Sequence, residues 1–418
     1  MSATGQDAAD LPDAGDRPRG TNGQDRPVIL IVDDTPASIW VLSETLASQH
    51  QTLFATNGPD CLRLAADKRP DLILLDVMMP DMDGYEVCSR LKADPDTSDI
   101  PVVFVTALGQ EEDETKGFEL GALDYITKPI KPAVVLARVR TLLLLRRQKA
   151  QLEDKQRQIE GALEAAGKIQ ESLLPGKAPA PDRADFAWKF APCETLGGDI
   201  FNIVSLGEQR IGVYMLDVAG HGPPSALISV LVYQLMNPHT GVLVDRSASP
   251  PRVREPEEVL NILEEEFPLS RFDKHFTIVY LTVDLASGEL AYSNAAHCPP
   301  VALRTDGSLE TLGEAGTFIG LAAFPFGQGS LTLSPGDKVV LYSDGVLEME
   351  NANQNIFGLT RLDKTLREHA HAAPAELVQA LFNRARDFAA NAPLADDVSI
   401  LAFEYRGPGP KKPSGRNA

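Results

Sequence analysis

The sequence predicts a multidomain protein with a doubly wound α/β domain on a five-stranded parallel sheet, a helical coiled-coil linker and an α+β β-sandwich domain. Three observations support this prediction. From residue 27, apolar runs of strand length alternate with helical segments, which is typical of a parallel sheet covered on both faces. Residues 133–175 repeat apolar side chains every seven positions. Beyond them, short strands separated by glycine turns are typical of antiparallel hairpins.

Length and charge limit the possible classes of protein. The 418 residues leave room for two or three domains, and we expect segments at 27–140, 141–178 and 179–405 between disordered tails at 1–26 and 406–418. The net charge of −20 argues against DNA as a partner. No apolar run approaches the ~20 residues that cross a bilayer, so we expect a cytoplasmic protein without a membrane partner. The scattered cysteines indicate neither a disulfide framework nor a zinc site.

Polar residues follow the predicted strands of the first domain, whose helices include one near Asp113–Gly121. A single aspartate after a strand is usually a helix cap, but ligands of such sheets bind at the carboxyl ends of the strands. Several carboxylates at one edge repel each other unless a hard divalent cation lies among them. The residues at this edge are Asp33, Asp34, Asp76, Thr106 and Lys128.

This set, together with the segment LILLDVMMPDMDG, closely resembles the receiver domain of bacterial two-component response regulators, over about residues 27–146. The resemblance implies that Asp76 accepts a phosphoryl group as an acyl phosphate, in a pathway with a sensor histidine kinase as partner. The other roles it implies are Mg²⁺ ligation by Asp33, Asp34, Asp76 and the Met78 carbonyl, phosphoryl contacts from Thr106 and Lys128, a cis peptide before Pro129, and a switch aromatic at Tyr125.

The linker is predicted as a helix with an imperfect seam. One row of seven-residue spacing is Leu145, Leu152, Ile159, Ala166 and Leu173, and the other is Leu142, Lys149, Gln156, Leu163 and Gln170. Polar residues in a seam lower its stability and fix its register. We therefore expect a weak coiled coil that joins a homodimer, and the alternative is a single solvent-facing connector helix.

The second domain reads as an α+β fold in which hairpins are interrupted by helices. The predicted helices are Pro224–Met236, Pro256–Phe267 and, with breaks, Leu362–Asn391, and residues 238–256 are predicted to be a mobile surface loop. Aspartates again stand at strand ends beside glycines or turns. An all-oxygen set of this kind suits Mg²⁺ or Mn²⁺ rather than zinc. These aspartates are Asp199, Asp217, Asp344, Asp396 and Asp397.

The motifs GGDIFN, DVAGHGPPSAL, NAAHCPP, YSDGVLE and ADDVSIL resemble the metal-dependent Ser/Thr protein phosphatases of type 2C, in their bacterial branch of sporulation and general-stress phosphatases, over about residues 168–405. The resemblance implies two Mn²⁺ or Mg²⁺ ions that activate water for attack on phosphorus. The implied ligands are Asp217 on both ions, Asp199 and the Val218 carbonyl on one, and Asp344 and Asp396 on the other.

Two positions depart from the family pattern. Asn202 replaces a usual aspartate, and Ala296 replaces the glycine before His297. Asn202, His221, His297 and Asp397 have uncertain roles around the ligands, and both histidines are expected to be structural because neither has a partner at metal spacing.

The leading hypothesis is a response regulator in which phosphorylation of Asp76 controls a protein phosphatase. Its expected substrate is a phosphorylated anti-sigma-factor antagonist of the STAS type, in a partner-switching pathway. The alternative is a catalytically degenerate phosphatase domain that acts as a phosphorylation-gated adaptor. A DNA-binding regulator is disfavoured because no helix-turn-helix segment or basic output domain follows the first domain.

Overall fold

The computed structural model describes residues 26–107, 119–180, 182–313, 316–321 and 325–408. Its chain separates into two units, Met1–Gln156 and Arg157–Ala418. The predicted linker 141–178 is therefore shared between the units. Most of the predicted tails, and most of the helix predicted near Asp113–Gly121, lie outside the described residues.

Five parallel strands form the sheet of the first unit, in the order β2-β1-β3-β4-β5. This confirms the predicted doubly wound fold. The strands are β1 (Val28–Val32), β2 (Gln51–Ala55), β3 (Leu72–Asp76), β4 (Val102–Thr106) and β5 (Asp124–Thr127), and the helices are α1 (Pro36–Leu46), α2 (Gly58–Lys68) and α3 (Gly84–Ala93).

The two faces of this sheet explain why its strands read as continuous apolar runs. In β1, Leu30 and Val32 pack into one core cluster, while Ile29 and Ile31 pack into the other. Successive side chains of a strand point to opposite faces, so a sheet covered on both faces needs apolar residues at every position. The carboxyl ends of the strands are left as the place where polar side chains gather.

Helix α4 (Pro132–Glu171) runs for 40 residues from the first unit into the second. Leu145, Leu152 and Ile159 are more than half exposed on it, as a predicted seam without its partner would be. The C-terminal end of α4 differs from the predicted seam. Leu173 lies beyond the helix, and Gln170 is buried, with only 5% exposure. Among the described residues, no helix is both long and apolar enough to span a membrane.

Two five-stranded antiparallel sheets form the second unit, in the orders β15-β12-β11-β8-β7 and β14-β13-β16-β17-β6, and confirm the predicted sandwich. The strands of the first sheet are β7 (Ile200–Ser205), β8 (Arg210–Val218), β11 (Phe276–Asp284), β12 (Glu289–Ala295) and β15 (Gly329–Thr332). Those of the second are β6 (Ala184–Ala191), β13 (Val301–Leu303), β14 (Leu309–Thr311), β16 (Lys338–Tyr342) and β17 (Val398–Tyr405).

Helices cover the outer faces of both sheets. In β8, Val213 and Met215 point into the core between the sheets, whereas Tyr214 and Leu216 pack on the outer side with the helices. This alternation explains the apolar run before Asp217. The helices are α5 (Pro223–Leu235), α6 (Pro256–Glu266), α7 (Leu269–Phe272), α8 (Asp344–Leu347), α9 (Gly358–Glu368) and α10 (Pro374–Phe388).

The segment 238–256 is more regular than the predicted mobile surface loop. This segment contains a small hairpin of β9 (Val244–Asp245) and β10 (Arg252–Val253), next to Leu243, which is fully buried. The Arg252 guanidinium donates two hydrogen bonds to the Glu258 carboxylate of α6, at 2.7 and 2.6 Å. A bidentate pair and a buried leucine anchor the segment to the domain.

Candidate functional site

Three carboxylates of the first unit meet at the carboxyl end of its sheet. Oxygen atoms of Asp33, Asp34 and Asp76 lie within 4.8 Å of one another. Lys128 Nζ donates to Asp33 Oδ2 and to Asp76 Oδ2, each at 2.9 Å. Asp33 and Asp76 are buried and Asp34 is exposed. The structure therefore brings together the predicted acidic residues and the predicted lysine.

Burial and charge act in opposite directions in this cluster. Burial raises the pKa of Asp76, and the hydrogen bond from Lys128 opposes that shift only in part. Burial lowers the pKa of Lys128, but its hydrogen bonds to Asp76 and Asp33 outweigh burial and raise the pKa overall. The lysine therefore stays charged beside the carboxylates. A fixed cation of this kind suits the stabilisation of an arriving phosphoryl group.

The other predicted residues of the first unit surround this cluster. Thr106 is the buried last residue of β4, and the peptide before Pro129 is cis, as predicted. The Met78 backbone N–H lies 3.4 Å from Asp76 Oδ1. The Arg138 guanidinium carbon lies 5.3 Å from the centre of the Tyr125 ring. The roles of Thr106, Tyr125 and the Met78 carbonyl remain predictions.

Glycines allow the acidic loops of the second unit to approach one another. A Cβ at Gly197 would lie 2.3 Å from Asp397 Oδ2, and one at Gly198 would lie 2.6 Å from the Val218 carbonyl oxygen. A Cβ at Gly345 would lie 2.0 Å from the Asp397 carbonyl oxygen. These distances leave no room for any side chain. The glycines beside the predicted aspartates are thus required by close packing.

Asp397 organises the loop that carries Asp199. Its Oδ1 accepts a hydrogen bond from Cys193 N at 2.9 Å, and its Oδ2 accepts from Gly198 N at 2.6 Å and Asp199 N at 3.3 Å. The side chain is 2% exposed. With these three backbone donors, Asp397 holds the loop in place and has little capacity left for a metal ion. The sequence left its role open because these partners lie about two hundred residues away.

The four predicted ligands of the second unit are electrostatic neighbours. Burial, and next the charge of Asp217, raise the pKa of Asp199 well above its ordinary value. Burial, followed by the charges of Asp344 and Asp396, raises the pKa of Asp217. Burial is also the largest cause of the raised pKa values of Asp344 and Asp396. Four carboxylates held at such unfavourable positions call for a compensating positive charge.

The donors of this cluster fit divalent cations. Asp199 is 1% exposed, and its Oδ2 is buried with no hydrogen bond of normal geometry among the described residues, although the nearby Ser399 and Ser343 hydroxyls oppose part of the rise in its pKa. A buried carboxylate oxygen without a partner is costly unless it binds a cation. The set consists of carboxylate and carbonyl oxygens, which Mg²⁺ and Mn²⁺ prefer. The residues of the second unit therefore fit the implied ions.

A cysteine that sequence analysis did not single out lies beside this cluster. Cys193 Sγ and carboxylate oxygens of Asp396 and Asp397 lie within 4.8 Å of one another. Burial, and next the charge of Asp397, raise the pKa of the Cys193 thiol to about 12. A thiol is a weak ligand until it loses its proton. A thiol that keeps its proton contributes less to cation binding than the carboxylates beside it, and the carboxylate and carbonyl ligand set stays a prediction.

The remaining predicted residues of the second unit lie around the cluster. Asn202 pairs with Tyr214 across β7 and β8, and its Oδ1 accepts from Ile203 N at 2.8 Å. His221 is exposed and lies 3.0 Å from a Glu194 carboxylate oxygen. His221 is close enough to the acidic loops for its charge to act on Asp396, whereas the contacts of Asn202 are with the strands. The roles of both residues in function stay predictions.

His297 is a buried residue of the strand network. Its Nδ1 lies 2.9 Å from Thr277 Oγ1, and Thr277 pairs with Asp217 across β11 and β8. Its backbone N–H donates to Asn294 Oδ1 at 2.8 Å. Burial lowers the pKa of His297 to about 3, so the ring is neutral. Ala296, which departs from the family glycine, has a φ of +54°, a conformation that favours glycine.

Comparisons with known proteins agree with this geometry. Residues 29–140 match the family model "Response regulator receiver domain", and residues 207–406 match "Stage II sporulation protein E (SpoIIE)". Asp217, Asp344 and Asp396 lie inside the second match, and Asp199 precedes it.

Two curated relatives match the first unit. The chain is 49% identical to response regulator PleD of Caulobacter vibrioides over 115 residues, which are 27% of this chain and 25% of PleD. It is 40% identical to protein PilH of Pseudomonas aeruginosa over 116 residues, which are 28% of this chain and 96% of PilH. The chain thus spans about a quarter of the length of PleD and nearly all of PilH.

A solved structure resembles the second unit. The SiaA-PP2C domain of Pseudomonas aeruginosa is 24% identical, with a TM-score of 0.52, and the match covers 60% of this chain and 98% of that domain. At this identity the likeness shows the fold, which is that of a PP2C domain. The chain therefore belongs to the response regulator family, with a receiver domain joined to a SpoIIE-type domain of the PP2C fold.

Proposed function

We propose that this chain is a metal-dependent protein Ser/Thr phosphatase whose activity is controlled by phosphorylation of Asp76. The observation that carries the enzyme assignment is the buried Asp199 oxygen without a hydrogen-bond partner among the described residues, beside Asp217, whose own charge neighbours include Asp344 and Asp396. A domain that only binds proteins has no need to maintain four mutually repelling carboxylates. The match to the SpoIIE family supports the same assignment.

In the receiver, Asp76 is the proposed phosphoryl acceptor and a sensor histidine kinase the proposed donor. A carboxylate oxygen of Asp76 would form the new bond to phosphorus while the donor's bond to phosphorus breaks. Lys128 already contacts Asp76 and Asp33, so it is in place to neutralise the added charge. Asp33, Asp34, Asp76 and the Met78 carbonyl would hold Mg²⁺, and Thr106 would donate to a phosphoryl oxygen.

In the second unit, Asp217 would contact two Mn²⁺ or Mg²⁺ ions, Asp199 and the Val218 carbonyl one of them, and Asp344 and Asp396 the other. Such ions, when bound, lower the pKa of water so that it attacks phosphorus at neutral pH. The protein's own contribution is positional. Asp397 and the close-packed glycines fix the ligand loops before substrate arrives, so little reorganisation is needed during the reaction.

The proposed substrate is a phosphoserine on an anti-sigma-factor antagonist of the STAS type, in a partner-switching pathway. The support for this substrate is the family resemblance of the second unit to sporulation and general-stress phosphatases. The proposed assembly is a homodimer joined through α4. The exposed Leu145, Leu152 and Ile159, spaced by seven residues, support that assembly.

The enzyme assignment is tested by Mn²⁺-dependent hydrolysis of p-nitrophenyl phosphate and of a phosphoserine peptide. We expect Asp217→Asn to lower kcat at least ~100-fold, because a ligand of both ions is lost. Asp284→Asn is the matched control, since Asp284 lies at the opposite end of the same sheet. A wild-type protein without turnover at saturating Mn²⁺ would favour the alternative, an adaptor with a degenerate phosphatase domain.

A further inference from the structure

Gln170 joins the end of α4 to the loop that carries Asp199. Its Nε2 donates to the Gly197 carbonyl oxygen at 2.7 Å, and its Oε1 accepts from Gly197 N at 3.1 Å. The side chain is 5% exposed. The Gln170 amide therefore pairs with both the carbonyl oxygen and the N–H of Gly197, which lies two positions before Asp199.

A second contact fixes the same face of the helix on the same loop. Gly167 lies one turn before Gln170, and a Cβ at Gly167 would lie 2.4 Å from the Thr195 carbonyl oxygen. Residues three apart on a helix share a face. The helix backbone at Gly167 therefore packs directly against the loop at Thr195. The two hydrogen bonds of Gln170 fix the helix at Gly197 of the same loop.

The loop is held from its other side by Asp397. A Cβ at Gly197 would meet Asp397 Oδ2, and that oxygen accepts from the N–H groups of Gly198 and Asp199. Gln170 thus satisfies Gly197, and Asp397 satisfies the next two residues. The Ser229 hydroxyl donates to the Gly198 carbonyl oxygen, so Gln170 is one of three side chains that hold the backbone beside Asp199.

We propose that Gln170 is a positioning residue of the second-unit metal site, which holds the Gly197–Asp199 loop so that Asp199 faces the other ligands. This inference rests on the proposed function, because it concerns the same metal site. Residues that hold metal ligands from outside commonly change metal affinity 10–100-fold when they are replaced. An apolar side chain at Gln170 leaves the Gly197 N–H and carbonyl buried without partners, and the loop has to move to find new ones.

The test measures Mn²⁺ binding to the full-length protein, by electron paramagnetic resonance of free Mn²⁺. Asp33 and Asp34 are replaced by asparagine in every sample, so that the receiver contributes no site. We compare Gln170→Leu with Gln170→Glu, which keeps the acceptor for Gly197 N but loses the donor to its carbonyl oxygen. Gln151→Leu is the matched control, because Gln151 is exposed on the same helix.

We expect Gln170→Leu to weaken Mn²⁺ binding at least tenfold and Gln170→Glu to weaken it by less, while Gln151→Leu has no effect. In the Gln170 variants, excess Mn²⁺ should restore kcat. A residue with a purely structural role would lower the melting temperature without shifting the Mn²⁺ dependence. If Gln170→Leu does not fold, Gln170→Glu decides the question.

Unchanged Mn²⁺ affinity in a folded Gln170 variant would overturn the inference. A separate outcome concerns the proposed function. If the Gln170 variants bind Mn²⁺ more weakly than the wild type, as expected, but the wild type hydrolyses no phosphoester, the phosphatase assignment is overturned and the role of Gln170 is supported.

Discussion

In the second unit, several glycines are required by the close packing of the loops that carry the aspartates. Gly197, Gly198 and Gly345 are required because a side chain at any of them would collide with Asp397 or Val218. The pattern of an aspartate beside a glycine in the sequence therefore reflects the close packing of the loops that carry the aspartates. The roles of Asp397 and Gln170 could not be predicted in this way, because their partners are backbone groups brought close only by the folded chain.

The charge cluster predicts an effect on stability. Asp217 is held among Asp344, Asp396 and Asp397, so Asp217→Asn should remove repulsion and stabilise the metal-free protein by about 1 kcal/mol, or about 2–4 °C in Tm. The same variant should lose the rise in Tm that Mn²⁺ causes in the wild type. Calorimetry with EDTA and with Mn²⁺ measures both effects. A lower Tm for the variant in EDTA would show that repulsion is not significant.

The buried His297 predicts a dependence of stability on pH. Its folded-state pKa, about 3, is below the unfolded value of ~6.5, so below pH 6.5 the unfolded chain binds the extra proton. The stability that this group contributes is complete from about pH 7.5 upwards and is lower by about 1.4 kcal/mol at pH 5.5.

Denaturant titrations of the metal-free protein at pH 7.5 and 5.5 test this prediction. His297→Gln should lose less stability between these pH values than the wild type, by about that 1.4 kcal/mol. His221→Gln is the matched control, since His221 is exposed. The site carboxylates, whose pKa values are raised, contribute with the opposite sign, so each variant is compared with the wild type at the same pH. Parallel pH profiles for His297→Gln and the wild type would contradict the prediction.

Strands could be predicted from the sequence where both of their faces are buried, because such strands consist of continuous apolar runs. β1 is apolar throughout, and β3 and β4 are apolar up to their last residues, Asp76 and Thr106, because both faces of the first sheet are covered. The interior of β8 is apolar because it separates two cores. The hairpin at β9 and β10 was missed because its strands are two residues long and depend on Glu258 and a buried Leu243. Such tertiary anchors leave no periodic signal in the sequence.

Helix α4 carries a prediction about assembly. Because Leu152 and Ile159 are 67% and 61% exposed, we expect them to be covered in a dimer. Leu152→Lys with Ile159→Lys should shift the protein towards monomers, as measured by sedimentation equilibrium. The control is Gln148→Lys with Gln151→Lys, which lies outside both rows of the seam. Equal dimer fractions for the two double variants would favour the single connector helix.

The structure distinguishes the polar seam residues that can be replaced to strengthen the coiled coil from one that cannot. Lys149 and Gln156 lie on exposed parts of α4, whereas Gln170 is committed to Gly197. Heptad spacing alone could not distinguish these positions, because a buried contact with a non-helical loop has no period. Substitutions designed to strengthen the seam should therefore leave Gln170 unchanged.

For the whole molecule, a receiver domain and a SpoIIE-type domain lie on one chain, and helix α4 begins in the first unit and ends, in the second, at Gln170's contact with Gly197. The fold class could be predicted from local patterns. Parallel strands were indicated by continuous apolar runs between helices, and antiparallel strands by short runs separated by glycine turns. The proposed control of the second domain by the receiver is not recorded in either pattern. It depends on a difference in free energy between states, which sequence motifs do not record.

The most direct test of that control is the phosphatase rate at saturating Mn²⁺ with and without beryllofluoride, in the wild type and in Asp76→Ala. We expect beryllofluoride to change the wild-type rate about fivefold or more, within the usual range of allosteric coupling, and to leave Asp76→Ala unchanged. Equal rates with and without beryllofluoride in the wild type, or the same change in both proteins, would contradict control through Asp76.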